Sequence, residues 1–230
     1  MATIYNFTES LSRIDEILTA KEPDSSVRGI PAVESLDSST RYMPQATAIH
    51  MNYEIMPDIW HPAEKKLELL VMQSFVSEAI CIGGASTCCK DIMVTEKCLR
   101  FVYETSLKTE LNEALDDAAR FRTLAMVVSK KAKQKGYPMI KASIGMDYGT
   151  VSMLPVNMRD SRFPRFIWTG EAVERAEQNA SKANDDIVIS DIVWKNLTEN
   201  NRKLFEGDNL SFSTYRGKIV NIAMNNWIVK

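Results

Sequence analysis

No stretch of this sequence approaches the roughly 18 consecutive apolar residues that a bilayer-spanning helix needs, so a membrane span is not expected. The first ten residues, MATIYNFTES, lack both a basic start and an apolar run, so no secretory signal is expected either, and the cytosol is the expected location. Net charge is nearly absent: 28 Lys and Arg stand against 30 Asp and Glu, a balance of -2 that gives no general affinity for nucleic acid or an anionic membrane. Histidine is scarce, with only His50 and His61, and the cysteines are Cys81, Cys88, Cys89 and Cys98. None of these residues has the CxxC or HxxxH spacing of a zinc site, and adjacent Cys88 and Cys89 are poorly placed to pair, so reduced structural thiols are expected. Internal repeats and low-complexity segments are missing as well.

What is present suits one large domain: 230 residues, 45% hydrophobic and 25% charged. Helical spacing of Leu11, Ile14, Ile17 and Leu18 behind Thr8 predicts a short first helix, and polar residues 21–28 read as a linker. Residues 1–28 are thus an N-terminal helix and linker, and residues 29–230 the main domain. A strand is predicted over 45–53. A long helix opening at Pro62 follows, with Leu67, Leu70, Val71, Phe75 and Ala79 on its apolar stripe and Gly83-Gly84 at its end. A hairpin turning at Thr95-Glu96-Lys97 comes next, then a second long helix over 111–135, stopped by Gly136 and Pro138. Its lysine-rich end, 130–135, reads as a solvated C-terminus. Strands 139–147 and 150–156 are expected to pair about Tyr148-Gly149. A polar loop at 157–164, a strand at 166–168, a helix to about 183, a strand at 187–189 and a helix over 190–197 complete the domain, and the tail 210–223 reads as a hairpin turning at Gly217. The central order β-α-β-β-α-β predicts an α+β fold with a ferredoxin-like sheet and two long helices on one face. Trp60, Trp168, Trp194 and Trp227 read as core or interface anchors.

Several segments carry a resemblance to a known family. SIGMDYG at 143–149 is similar to the IGIxxG strand and turn of class III nucleotidyl cyclases, and WTGEAVERA at 168–176, followed by IVIS at 187–190, resembles their GDxVNxA helix start. The Pro-led segment from Ile30-Pro31 to Tyr53, LKTELN at 107–112 and MNNW at 224–227 resemble the pyrimidine cyclases of the bacterial Pycsar anti-phage system. The resemblance implies a head-to-tail homodimer with shared active sites. One subunit supplies two Asp that hold two Mg²⁺ ions. The other supplies an Asn and a basic residue that steady the ribose and the phosphate during attack of the 3′-hydroxyl on the α-phosphate.

At the matching positions this sequence differs. The first metal Asp corresponds to Asn52 and the second, from a GD pair, to Lys97 after Glu96. The Asn corresponds to Glu174, the basic residue to Gln178 and the Asp of GDxVNxA to Glu171, while Met93 and Arg165 fall near base-sensing positions. Lys97 is either an exposed hairpin tip or an ion-pair partner of Glu54, Glu171 or Glu174, and loss of the glycine before it predicts an altered turn. Three readings follow. One is a pseudo-cyclase that binds a nucleoside triphosphate, a cyclic nucleotide or a protein, with no cofactor. Another is an active enzyme making cUMP or cCMP with Mg²⁺ or Mn²⁺ on stand-in ligands such as Asp58, Asp91 or Asp147. The third is an inhibitory partner in mixed dimers with an intact cyclase.

Overall fold

The computed structural model describes residues 6–19, 24–37, 39–56, 64–156, 165–207 and 213–230. Pro62, His61, Trp60, Asp58 and the 157–164 loop therefore lie outside the described residues. The elements are α1 (Phe7–Leu18), β1 (Asp24–Ser26), β2 (Arg41–Met43), β3 (Gln45–Met56), α2 (Lys65–Ala85), β4 (Cys89–Val94), β5 (Cys98–Tyr103) and α3 (Lys108–Gln134). They continue as β6 (Met139–Thr150), β7 (Ser152–Val156), β8 (Arg165–Thr169), α4 (Glu171–Lys182), β9 (Ile187–Ser190), α5 (Asp191–Asn196), α6 (Glu199–Arg202), β10 (Glu206–Gly207), β11 (Thr214–Gly217) and α7 (Ile222–Val229).

The main sheet has the order β10-β11-β9-β6-β3-β5-β4. Its β6-β3-β5-β4 part holds the strands of the β-α-β-β-α-β unit in the ferredoxin-like arrangement that the sequence pattern predicts. Alternation along β3 sends Ile49, Met51 and Tyr53 to the face covered by α2 and α3, and Ala46 and Ala48 to the face covered by α4. On the first face Phe101 of β5 stacks on Phe121 of α3 with ring centroids 4.3 Å apart. Helix α2 is long and apolar enough to cross a membrane by length and composition, yet Val71, Phe75, Ala79 and Gly83 are buried against this core. Gly83 does not end α2: a side chain there would reach Phe101 Cε1 at 2.7 Å, so the glycine admits the ring and the helix runs on to Ala85.

Five expectations are corrected. Tyr148-Gly149 makes no turn, because β6 continues to Thr150, and β7 leaves for a second sheet of order β1-β2-β7-β8. Gly149 lies within the strand facing Ala172 of α4, where a Cβ would make only an ordinary 3.7 Å contact. Within the 21–28 stretch read as linker, Asp24–Ser26 pairs in parallel with β2, and Arg41 forms an ion pair with Asp24. The tail is helical after Gly217: α7 is capped by Asn221, and its last carbonyls, Trp227 and Ile228, accept from Lys130 Nζ at 3.3 and 2.6 Å. Lys130 and Lys131 each sit 5.0 Å from the Trp227 ring, so the basic end of α3 is a clamp for α7 rather than a solvated terminus. The cap of α1 is Asn6, two residues before Thr8, which lies inside the first turn, and α1 has no buried residue.

Candidate functional site

The β4–β5 hairpin tip is built by Thr95. Its hydroxyl accepts from the backbone N–H of Lys97 at 3.3 Å and of Cys98 at 3.0 Å. Among the described residues the only non-glycine with positive φ is Asp185, so neither Glu96 nor Lys97 takes the backbone angles that favour glycine. The tip is tied to β3 by Tyr53, whose N–H donates to Lys97 O at 3.1 Å and whose hydroxyl donates to Thr95 O at 2.8 Å. Asn52 and Lys97 consequently border one cavity of about 650 Å³, together with Glu54, Lys65, Glu68 and Glu96.

Asn52 shares its side of β3 with His50, and Asn52 Oδ1 lies 3.1 Å from His50 Nε2. Burial lowers the His50 pKa and so favours the neutral ring, which donates from Nε2 to the amide oxygen. The one Asn52 atom able to coordinate a cation is therefore already engaged. Lys97 has no ion-pair partner among the described residues: Glu54 is held by Lys141 at 2.9 Å, and Glu171 pairs with Arg175. The free ammonium repels a divalent cation, and the engaged amide brings no negative charge to offset it. A unit charge about 4 Å from Lys97 interacts by roughly 4 kcal/mol at an effective dielectric near 20, and a divalent ion doubles that.

Helix α4 carries the other set. Gly170 precedes it at φ 107, a conformation that a side chain would strain, and accepts from Glu174 N at 3.0 Å. Exposed Glu174 and Gln178 line a shallow concavity of about 660 Å³ with Glu177, Ser181 and Lys182. Glu177 takes Arg100 of β5 at 3.1 Å. Arg100 pairs across strands with His50 on one side and Met93 on the other, so these side chains form a polar row beneath α4. Met93 is 39% exposed at the end of that row, whereas Arg165 starts β8 in the second sheet. The His50–Arg100–Glu177 row was not predicted. Its sequence signal is Arg100 as the one charged residue of the run 98–103 and His50 within the strand run 45–53.

The proposed stand-in ligands have other duties. Asp91 Oδ2 accepts from Trp168 Nε1 at 2.6 Å, which anchors the second sheet to β4. Asp147 is 1% exposed and accepts from the hydroxyl of Ser190, which caps α5. Among the described residues no group of three His, Cys, Asp or Glu is placed to hold a metal ion. Burial raises the Asp147 pKa above the ordinary 3.8. The folded state thus holds this proton more tightly than the unfolded chain, and stability falls as pH rises from 3.8 through the raised value. Asp147→Asn is expected to flatten that part of the profile, read as the urea midpoint of both proteins at several pH values between about 4 and 7.

Comparison with known proteins places these features. The chain superposes on the adenylyl cyclase CyaB from P. aeruginosa with a TM-score of 0.61 at 11% identity, covering 76% of this chain and 94% of that one. The fold is that of a class III nucleotidyl cyclase domain. A class III adenylyl cyclase-like ATP-binding protein from Pseudomonas aeruginosa shares the cyclase fold over 96% of this chain and 49% of its own, with a TM-score of 0.61 and 10% identity. In sequence, the chain is similar to a uridylate cyclase of Treponema porcinum, 25% identical over 234 residues and covering 98% of this chain and 82% of that protein. A uridylate cyclase of Gulbenkiania mobilis is 22% identical over 246 residues, covering 97% and 95%. No family model matches the sequence.

Proposed function

We propose that this chain is a pseudo-cyclase of the Pycsar type: a class III cyclase scaffold that binds a nucleotide or a partner protein in its cleft, forms a head-to-tail homodimer, and turns over no substrate. The observation that carries the reading is Lys97 and Asn52 on one cavity, an ammonium and an engaged amide where the resemblance calls for two metal-binding carboxylates. Glu174 and Gln178 on α4 add a repulsive acid and a neutral amide where a triphosphate would need an amide and a cation. The shared fold of an adenylyl cyclase-like ATP-binding protein supports a nucleotide-binding role. Anti-phage signalling is the setting that the uridylate cyclase similarity favours.

A second reading, an active uridylate cyclase, is favoured by the near full-length similarity to two curated uridylate cyclases. Incubating the protein with ATP, GTP, CTP or UTP and Mg²⁺ or Mn²⁺ separates the two. No cyclic monophosphate or pyrophosphate above the metal-only background is expected. Cyclisation of UTP or CTP that disappears in Lys97→Ala would overturn the pseudo-cyclase reading.

A further inference from the structure

Lys97 and Glu174 are opposite charges, both exposed and both without an ion-pair partner among the described residues. They cannot satisfy each other within one chain. Residue 97 sits level with Tyr53 on β3, since Tyr53 N donates to Lys97 O. Glu174 lies between Ala172, which packs at Gly149 opposite Ala46, and Ala176, which packs at Gly145 opposite His50. The offset is about five strand residues, or roughly 16 Å. An ion pair needs about 4 Å or less.

We infer that the pairing is made between copies: Lys97 of each subunit bridges to Glu174 of the other, closing both clefts. The inference rests on the head-to-tail pseudo-cyclase reading and deepens it by assigning the occupant of the altered positions. The geometry is that of an isologous contact. When residue i of one copy meets residue j of a second, two-fold symmetry makes j meet i, so one complementary pair becomes two bridges. Both residues border concavities, one on the tip of β4–β5 and one on α4, and α4 covers the same sheet face to which Asn52 and His50 point. Exposed Met93, on that face beside Arg100, supplies apolar contact next to the charges. Of the other charges nearby, Lys65 is engaged with Glu68, Lys141 with Glu54, Arg100 with Glu177 and Arg175 with Glu171, while Glu96 shares the cavity of Lys97 and Lys182 the concavity of Glu174. The two altered family positions therefore compensate one another. A base replaces an acid on one half-site, and an acid replaces an amide on the other.

The test uses the full chain and two single variants, Lys97→Glu and Glu174→Lys, in sedimentation velocity at low salt. Each variant alone places like charges at both bridges and is expected to dimerise about tenfold or more weakly than the parent. Mixed in equal amounts, the two variants restore both attractions, because a carboxylate at 97 then faces an ammonium at 174 and the reverse holds at the other cleft. Mixing is expected to return parent-like dimerisation, and added salt to weaken it in the parent and the mixture alike. The double variant Lys97→Glu/Glu174→Lys carries the same test in one chain, should either single variant lose its thermal transition. A monomeric parent, single variants that dimerise undiminished, or a mixture no tighter than its components overturns the inference. Cyclic nucleotide formation, measured on the same samples, reports separately on the pseudo-cyclase reading.

Discussion

A chain carrying Asn52→Asp, Lys97→Asp and Glu174→Asn is expected to bind Mn²⁺ measurably where the parent does not. The largest contribution comes from position 97, where a roughly 8 kcal/mol repulsion of a divalent ion at 4 Å becomes an attraction of similar size in an effective dielectric near 20. Lys97 is exposed, so solvent screens most of that swing. A residue of about 3 kcal/mol still amounts to more than a hundredfold in affinity. Position 52 adds a second carboxylate on the same cavity and also frees the site from an amide fixed by His50. Isothermal titration with Mn²⁺ reads the outcome, and Asn52→Asp alone is the control that leaves Lys97 in place. The cavity walls and the hairpin path are already built, so a triple variant that folds normally yet shows no more metal binding than the parent would mean that the cyclase correspondence at these positions is mistaken.

Gly145→Ala is expected to be strongly destabilising. A methyl group at that position would sit 2.0 Å from Ala176 O and 2.1 Å from Ala180 N. Both are backbone atoms of α4, so no side chain can swing aside, and the helix must lift from β6 and β3 together. Overpacking a core typically costs about 1–3 kcal/mol. Here the displacement also strips cover from Ala46, Ala48 and Val102 and breaks the Asn179 hydrogen bond to Met146 O, so a loss of about 4 kcal/mol or more is expected, a large share of a small protein's stability. Urea unfolding followed by circular dichroism measures it. Gly84→Ala, at a position with open space around it, is the matched control, expected to be neutral or slightly stabilising in its helix.

The periodicity of the chain exposed most of this architecture before any coordinate. The strand-like run at 45–53, the apolar stripe of α2 and a second long helix stopped by Gly136 and Pro138 placed the β-α-β-β-α-β unit. Failures cluster where a residue has more than one physical use. Gly83 read as a stop but is a close-approach glycine that admits the Phe101 ring, a role that depends on a partner far away in sequence, and Gly149 read as a turn but lies within a continuous strand. Lys130 read as a solvated cation because its acceptors belong to residues 227 and 228. The altered site positions were legible only through alignment to motifs. The His50–Arg100–Glu177 row was not, since nothing local tells a buried strand histidine from a ligand until its neighbours are known.

The Thr95 hydroxyl that accepts two backbone N–H groups of the hairpin tip has an evolutionary consequence. With the loop's path fixed one residue upstream, positions 96 and 97 can be exchanged without asking the backbone to move. The electrostatic sign of the cleft is then a property that point substitution alone can rewrite, in either direction. Lineages sharing this scaffold could pass between metal-loving and metal-repelling forms by single steps, each step yielding a protein that still folds.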